Sequence, residues 1–488
     1  MTAINTNIGA IQAQSNMGRV SEEYNQAMTR LSSGKRINAA KDDAAGMAIG
    51  EKMTAQIKGL NQAVRNATDA KSLVDTTEGA HIEVSNMLQR MRELSVQSAN
   101  DTNTAADRNN INAEAQQLIS EVNRVAETTT FNGMNILDGS FTGKQFQIGA
   151  DSGQTLNVDV DSAAATDIGA YTQTSVTAVN NAADTAMGAN NFDVTGFAGT
   201  ATINVTAGMS AQDAARSVNE QAAETGVEAT AVTKASLSGL TAAENVSFTV
   251  NGVSIGEVAI SDTGDLTGLR DAINTVAGQT GVSATMGSGT SEIILTDQTG
   301  DDILLDNFDT TTAGTQLTAT ALQADGTTTG SSAATVTLDE GGDTQAAFGG
   351  QLELTSTKAF TVAQTSNAND GTSFFAQAAE SSDLESVAEI DLTTAQGATD
   401  AIKVLDVALQ KVSQSRSDLG AVSNRLDSTI SNLTNISTNV EAARSGIMDA
   451  DFAKESTDLA RGQILQQAAT SMLAQANSSQ QNVLSLIR

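Results

Sequence analysis

Two apolar stripes at helical spacing, one at each end of the chain, restrict the fold more than any other feature of the sequence. Ile4, Ile8, Ile11, Met17, Val20, Tyr24, Met28 and Leu31 fall three or four apart, with one longer step around Gln14, as on one face of a helix. Met53, Ile57, Leu60, Val64, Ala67, Val74, Val84, Leu88, Met91 and Leu94 extend the pattern to about residue 100, and Ile111, Ala115, Leu118, Val122 and Val125 form a shorter third run. The far end mirrors this. Ile402, Leu405, Leu409, Val412, Leu419, Val422, Leu426, Ile430, Leu433, Ile436 and Val440 make a stripe over 39 residues, about 58 Å of helix at 1.5 Å per residue. Ile464, Leu465, Ala468, Met472, Ala476, Val483 and Ile487 carry a last run to the C-terminus.

Seams this narrow are what partner helices share in coiled coils, whereas a globular core requires a wider apolar face. The two ends of the chain are therefore expected to meet. Composition permits such length: Pro is absent from all 488 positions, where usage of about 5% would give roughly two dozen, so no ring interrupts a helix. Cys is absent as well, which excludes disulfides and thiolate metal sites. Aromatic residues make up 3% of the chain and Trp is missing, leaving burial to Ala, Val, Leu, Ile and Met in thin elements.

Between the ends the periodicity changes. "KQFQIGA" and "TLNVDV" alternate like a hairpin over about 144–160, and from residue 176 short strand-like runs such as "ATINVTA", "VSFTVNGVSI", "EIILT" and "QLELTST" lie in Thr-, Ala- and Gly-rich sequence. An internal repeat of period 55 aligns "AQDAARSVNEQAAETGVEAT" (211–230) with "LTGLRDAINTVAGQTGVSAT" (266–285), matching Val218 and Asn219 to Ile273 and Asn274. Each copy reads as a helix stopped by Gly226 or Gly281 and followed by a strand. The two modules cover about 195–235 and 245–297. The fold class expected is mainly α at the two ends, a long coiled-coil-like helical hairpin or bundle, with an inserted β-rich α+β region.

The formal net charge of -31 is uneven: residues 176–390 hold 27 acidic and 4 basic residues, a net of -23, which leaves -8 for the remainder. Such a field repels nucleic acid and anionic membranes. "MTAINTNIGAIQAQSNM" has neither a basic n-region nor a continuous apolar h-region, so it does not read as a cleavable signal peptide, and a chain like this that leaves the cell is expected to do so by another route.

Four motifs, in order at both ends, carry a resemblance: "RLSSGKRINAAKDDAAGMAIG" (30–50), "FNGMNIL" (131–137), "ARSGIMDADFAKES" (443–456) and "NVLSLIR" (482–488). Together they resemble bacterial flagellin over about 1–175 and 393–488. The resemblance implies a subunit that self-assembles into the flagellar filament, an extracellular helical homopolymer, with no enzyme activity and no cofactor. It also implies an inner core of 1–44 with 449–488, an outer core of 45–175 with 393–448, and a variable outer region at 176–392. In flagellins the terminal segments order on assembly, as an isolated narrow seam would: it cannot offset an ordering cost of roughly 1–2 kcal/mol per residue until neighbours add buried area.

By the same resemblance Ile4, Ile8, Ile11, Leu31, Leu465, Met472, Val483, Leu484 and Ile487 make filament-core contacts. Ser32, Ser33, Gly34, Arg36, Asp42 and Asp43 form the spoke between inner and outer core; read from the residues alone, they are a helix-breaking loop with Asp near the next helix N-terminus. Gln89, Arg90, Leu94 and Glu114 match positions recognised by the Toll-like receptor that senses flagellin, although the same run reads as a solvated face with charge pairs. Partners implied are the filament cap, hook-junction proteins, the flagellin export chaperone and the flagellar export apparatus. A hook-filament junction protein of the same superfamily and a surface adhesin are the alternatives.

His81, the only histidine, reads as a partly buried structural residue. The acidic run 297–309 lacks calcium-loop spacing and reads as a solvated loop. No metal site, nucleic-acid partner or membrane segment is expected.

Overall fold

The computed structural model describes residues 6–176, 179–180, 190–287, 289–312, 314–326, 335–364, 374–375 and 379–485. Its helices are α1 (Ile8–Ser33), α2 (Ala44–Ser98), α3 (Ala105–Thr128), α4 (Ala211–Glu220), α5 (Ala222–Thr225), α6 (Thr267–Thr280), α7 (Ala395–Met448) and α8 (Phe452–Ser485). Long helices at both ends therefore flank a β-rich middle, the expected fold class. Local chemistry sets the helix ends. The Asn7 side chain accepts the Ala10 N–H at 2.9 Å as the cap of α1, and Gly34 ends α1 in the left-handed region at φ +70°. Thr104 and Asp107 close a reciprocal capping box on α3.

Two compact units are present. One comprises 1–76, 143–159 and 419–488. In it α1 lies along α8, and residues 44–76 of α2 lie along 419–448 of α7, where Leu60, Ala63 and Leu433 form a small core with Val64 and Ile436. Lys71 pairs with Asp427, and Ser437 Oγ donates to Asn61 Oδ1 at 3.2 Å. The strands Lys144–Gln147 and Thr155–Val158 form the expected hairpin, held to α2 by Asn66 Nδ2 donating to the Gln147 carbonyl at 2.9 Å.

The other unit comprises 77–142 and 160–418. Its helical part joins 77–98 of α2 to α3 through Arg90 and Glu114, and to α7 through Arg92 and Asp406. Val84, Leu88, Met91 and Leu94 of α2, Ala115, Ile119 and Val122 of α3, and Leu405, Ala408 and Val412 of α7 are all buried. Its largest sheet runs Ser283–Met286, Glu292–Asp297, Glu228–Ser238, Gln351–Ser356, Gly169–Thr174, Asp383–Ser386, with Gln316–Leu322 also on Glu228–Ser238. That central strand of eleven residues pairs with Gln351–Thr355 along its first half, and with Thr318–Leu322 and Glu292–Asp297 along its second. The strands that follow the two repeat helices, Glu228–Ser238 and Ser283–Met286, are thus joined through Glu292–Asp297, which pairs with both.

The repeat is structural as well as sequential. Asn219 Nδ2 donates to the Ala229 carbonyl and its Oδ1 accepts the Ala229 N–H, both at 2.8 Å; Asn274 makes the same two bonds to Ala284, both at 2.8 Å. Gly226 and Gly281 close the two helices at φ +74° and +78°. A Cβ on Gly226 would lie 2.2 Å from the Phe197 ring, so two constraints select glycine there. One apolar cluster packs Leu269 and Ile273 of α6 with Phe248 and Leu295; another packs Val218 of α4 with Phe192, Phe374 and Phe375. Each such buried side chain contributes roughly 1.5–3 kcal/mol.

The acidic run 297–309 is not the solvated loop expected. It ends one strand at Asp297, turns, and enters the strand Ile303–Thr310. Ile303, Leu305 and Phe308 are buried from that strand, and Asp297 is itself buried, accepting the Thr299 N–H at 2.8 Å and its hydroxyl at 2.6 Å. Within that strand Asp306 and Asp309 lie outside the buried set, Asp309 fully exposed.

Candidate assembly surfaces

The seam between α1 and α8 interleaves small residues with larger apolar ones. Ala10, Ala13, Met17, Val20, Tyr24, Ala27 and Leu31 of α1 are half-buried or buried, at alternating steps of three and four. On α8 the same holds for Glu455, Leu459, Gly462, Gln466, Ala469, Leu473 and Ala476. Ala27 is the one fully buried residue of α1. Two heptad faces rich in small residues let the helices approach closely. A Cβ on Gly462 would sit 3.3 Å from Tyr24 Cβ.

This packing turns other bulky residues outward. Ile8 is 63% exposed and Ile11 57%, while on α8 Ile464 is 67% and Met472 66% exposed; Leu465, Met28 and Phe452 are also exposed. Leu31 is half-buried at the seam. Of the predicted core contacts, Ile8, Ile11, Leu465 and Met472 thus form faces away from the helix pair. Val483 and Leu484 lie in the last turns of α8, with side chains outside the described residues, as are Ile4 and Ile487. The sequence stripe placed Met17, Val20, Tyr24 and Leu31 on the face that became the seam but passed over Ala10, Ala13, Ala27 and Gly462, because it ranked Ile and Met above Ala and Gly. The signal that would have found them is the alternating spacing of the small residues.

The corner between α1 and α2 is tied to the corner between α7 and α8. The Arg36 N–H donates to the Met448 carbonyl at 2.7 Å, the Ala450 N–H donates to the Gly34 carbonyl at 2.9 Å, and the Arg36 guanidinium donates to the Ile447 carbonyl at 2.6 Å. Ser33 Oγ accepts from Asn38 Nδ2 at 2.6 Å, and Ser32 is exposed. Asp42 accepts the Ala39 and Asn38 N–H groups at 2.9 and 3.0 Å, and these bonds hold its carboxyl below the usual range. Asp43 accepts the Gly46 N–H at 2.9 Å, at the start of α2. Ile37 is buried beneath this loop. The six predicted spoke residues are thus brought into one corner.

In the other unit the Arg90 guanidinium donates to Glu114 Oε1 at 2.8 and 3.0 Å and to Glu93 at 2.9 Å, and these carboxylates raise its pKa. Gln89 is exposed beside it, but Leu94 is only 2% exposed and faces the helical core. His81 is 1% exposed, deeper than expected. Its Nε2 lies 3.4 Å from Ser415 Oγ, its Nδ1 has no hydrogen-bond partner, and burial, then Arg416, lower its pKa to about 4. Among the described residues no group of three or more His, Asp or Glu side chains is placed to hold a metal ion, and no helix is long and apolar enough to cross a membrane.

Residues 4–142 match the family model of the bacterial flagellin N-terminal helical region, and 402–487 that of the bacterial flagellin C-terminal helical region. The flagellin hook IN motif matches twice, at 191–243 and 247–299, over the two repeat copies. The B-type flagellin of Pseudomonas aeruginosa is 37% identical over 492 residues, covering 99% of both chains. The polar flagellin C of Vibrio parahaemolyticus is 35% identical over 486 residues, and the flagellin of Salmonella typhimurium 36% over 526, each again covering 99% of both chains.

Proposed function

The chain belongs to the bacterial flagellin family, and from that premise we propose how its terminal helices build the filament. It is a structural subunit of the flagellar filament, an extracellular part of the flagellum, and its product is a homopolymer rather than a chemical one. One observation carries the assembly reading: α1 and α8 pair through a seam of small and larger residues and leave Ile8, Ile11, Ile464, Leu465 and Met472 exposed on their outer faces. Contiguous exposed apolar surface marks an interaction site. Two such faces that do not coincide on one subunit make heterologous contacts, which generate an open helical array rather than a closed pair.

In this reading the pair α1 and α8, with Val483, Leu484, Ile4 and Ile487 at its ends, forms the inner core. The corner around Ser32, Ser33, Gly34, Arg36, Asp42 and Asp43 is the spoke to an outer core of 45–175 and 393–448. The acidic region 176–392 faces solvent, where the net charge of -23 on residues 176–390 keeps polymers apart. Family membership supports a reading in which the chain is exported without a cleaved signal peptide and partners a filament cap, hook-junction proteins, an export chaperone and the flagellar export apparatus. Recognition by a flagellin-sensing Toll-like receptor would use Gln89, Arg90 and Glu114 directly, with the buried Leu94 supporting the helix beneath them.

Seeded sedimentation tests the reading. Purified subunits added to sheared filaments of the same chain are expected to pellet as long helical tubes under the electron microscope. Subunits that stay in the supernatant with seeds present would overturn it.

A further inference from the structure

A seam in which Ala and Gly recur at heptad spacing among larger residues brings helices close, and its small positions specify register weakly. Sliding α8 by seven residues along α1 would set Tyr24 against Ala469 instead of Gly462, one small residue for another. Against that background one contact in the α1/α8 seam is charged: Arg30 Nη1 lies 3.4 Å from Glu455 Oε1, and the Glu455 side chain is 6% exposed. The Arg30 Nε is also buried and has no hydrogen-bond partner. A seven-residue slip would place Arg30 near Gly462 and separate the largely buried Glu455 carboxylate from that cation. An unpaired buried carboxylate is strongly disfavoured. A single polar contact in an apolar seam is the best-attested way to specify register at some expense of stability.

We propose that Arg30 and Glu455 are positioning residues that fix the register in which α1 and α8 pair during filament assembly. Two contacts further along the pair, towards the start of α1, agree with the same antiparallel register: Asn7 Nδ2 donates to the Ala476 carbonyl at 3.3 Å, and Gly462 packs on Tyr24. The register decides which outer residues come side by side. Ile8 and Ile11 on α1 present a usable face to a neighbouring subunit only together with the correct level of Met472 on α8. A subunit that pairs out of register cannot add to a growing end. The pair thus acts as an assembly check, and the inference rests on the filament reading above.

The chain has no Cys, so engineered pairs report register without background. In the full-length subunit, Met17→Cys with Ala469→Cys reports the native register, by extrapolation from the three observed contacts. Met17→Cys with Ala476→Cys reports a seven-residue slip. Oxidised filaments of the otherwise native chain are expected to show the first intrachain cross-link and not the second. With Glu455→Gln, seeded elongation should fall on the order of tenfold, and the slipped cross-link should appear. The reversed pair Arg30→Glu with Glu455→Arg should restore both elongation and the native cross-link. An unaltered cross-link pattern in Glu455→Gln, or a reversed pair that does not restore elongation, overturns the inference while leaving the filament reading intact. Absence of the native cross-link from filaments of the parent chain would instead remove the pairing on which both stand.

Discussion

Small residues and one buried base decide much of what the terminal and helical regions do. Gly462 and Ala27 matter as the small buried residues where α1 and α8 come close, whereas Ile8 and Met472 matter because none of the described residues covers them. His81 stands in the helical part of the second unit, among Glu78 on its own helix, Arg416 on α7 and Asp161. Glu78 and Arg416 pair at 3.5 Å, so the Glu78 carboxylate that would favour an imidazolium is shared with Arg416, whose positive charge disfavours it. The folded-state pKa of about 4 lies below the ordinary 6.5, so the unfolded chain binds the extra proton first as pH falls. The contribution of neutral His81 is complete above about pH 6.5 and is lost as pH drops towards 4. Between pH 7.5 and 4.5 the native chain should lose roughly 2 kcal/mol through this group. His81→Leu should remove that component, read as a smaller shift of the urea midpoint between the two pH values. An identical shift in both chains would assign the acid sensitivity to other groups.

At the scale of elements, each terminal helix carries two functions on two faces. The inner face of α8, through Leu459, Ala469 and Leu473, meets α1, and the outer face, through Ile464 and Met472, meets none of the described residues closely enough to be buried. The two faces are expected to respond differently to substitution. Ile464→Ser or Met472→Ser should leave the melting of the subunit unchanged and raise the critical concentration for polymerisation by about ten- to a hundredfold, the equivalent of about 1.5–3 kcal/mol per buried side chain. Light scattering over a concentration series measures this. Polymerisation at the parent concentration would show that the outer face of α8 is not an assembly surface. The repeat modules show a different economy. One Asn, at 219 and again at 274, ties each helix to its following strand by two hydrogen bonds, and this local device allows the module to occur twice with different sheet partners.

For the molecule as a whole, the β-rich middle is an insertion whose ends return to the same place. The Val387 N–H donates to the Ile168 carbonyl at 2.9 Å, and the Ala388 N–H donates to the Ala165 carbonyl at 3.0 Å. Excision of 169–386 with a short Gly linker between Ile168 and Val387 therefore removes whole strands and leaves no unpaired sheet edge. A cut at 180–390 would instead strand Gly169–Thr174, whose partners are Gln351–Ser356 and Asp383–Ser386. The excised chain is expected to elongate seeds into filaments, seen by electron microscopy. Failure to elongate, with the helical signal in circular dichroism retained, would place essential subunit contacts in the middle region.

Sequence alone determined the helical ends, the hairpin at 144–158, the repeat with its Asn and Gly positions, and family membership. All of these are written in local periodicity, in turn residues or in contiguous motifs, and each can be read without knowing what lies opposite. Tertiary structure decided which face of α1 and α8 became the seam, because a helix with Ile8 and Ile11 on one face and Ala10 and Ala13 on another offers two candidate surfaces, and only the partner's shape selects between them. It likewise decided that Leu94 lies inside while Arg90 and Glu114 lie outside, that Asp306 and Asp309 lie outside the buried set of the strand Ile303–Thr310, and that Glu228–Ser238 joins three strands distant in sequence. Hydropathy ranks residues by their preference for leaving water; close approach of two helices and non-local strand register depend on size and geometry, which that ranking does not contain.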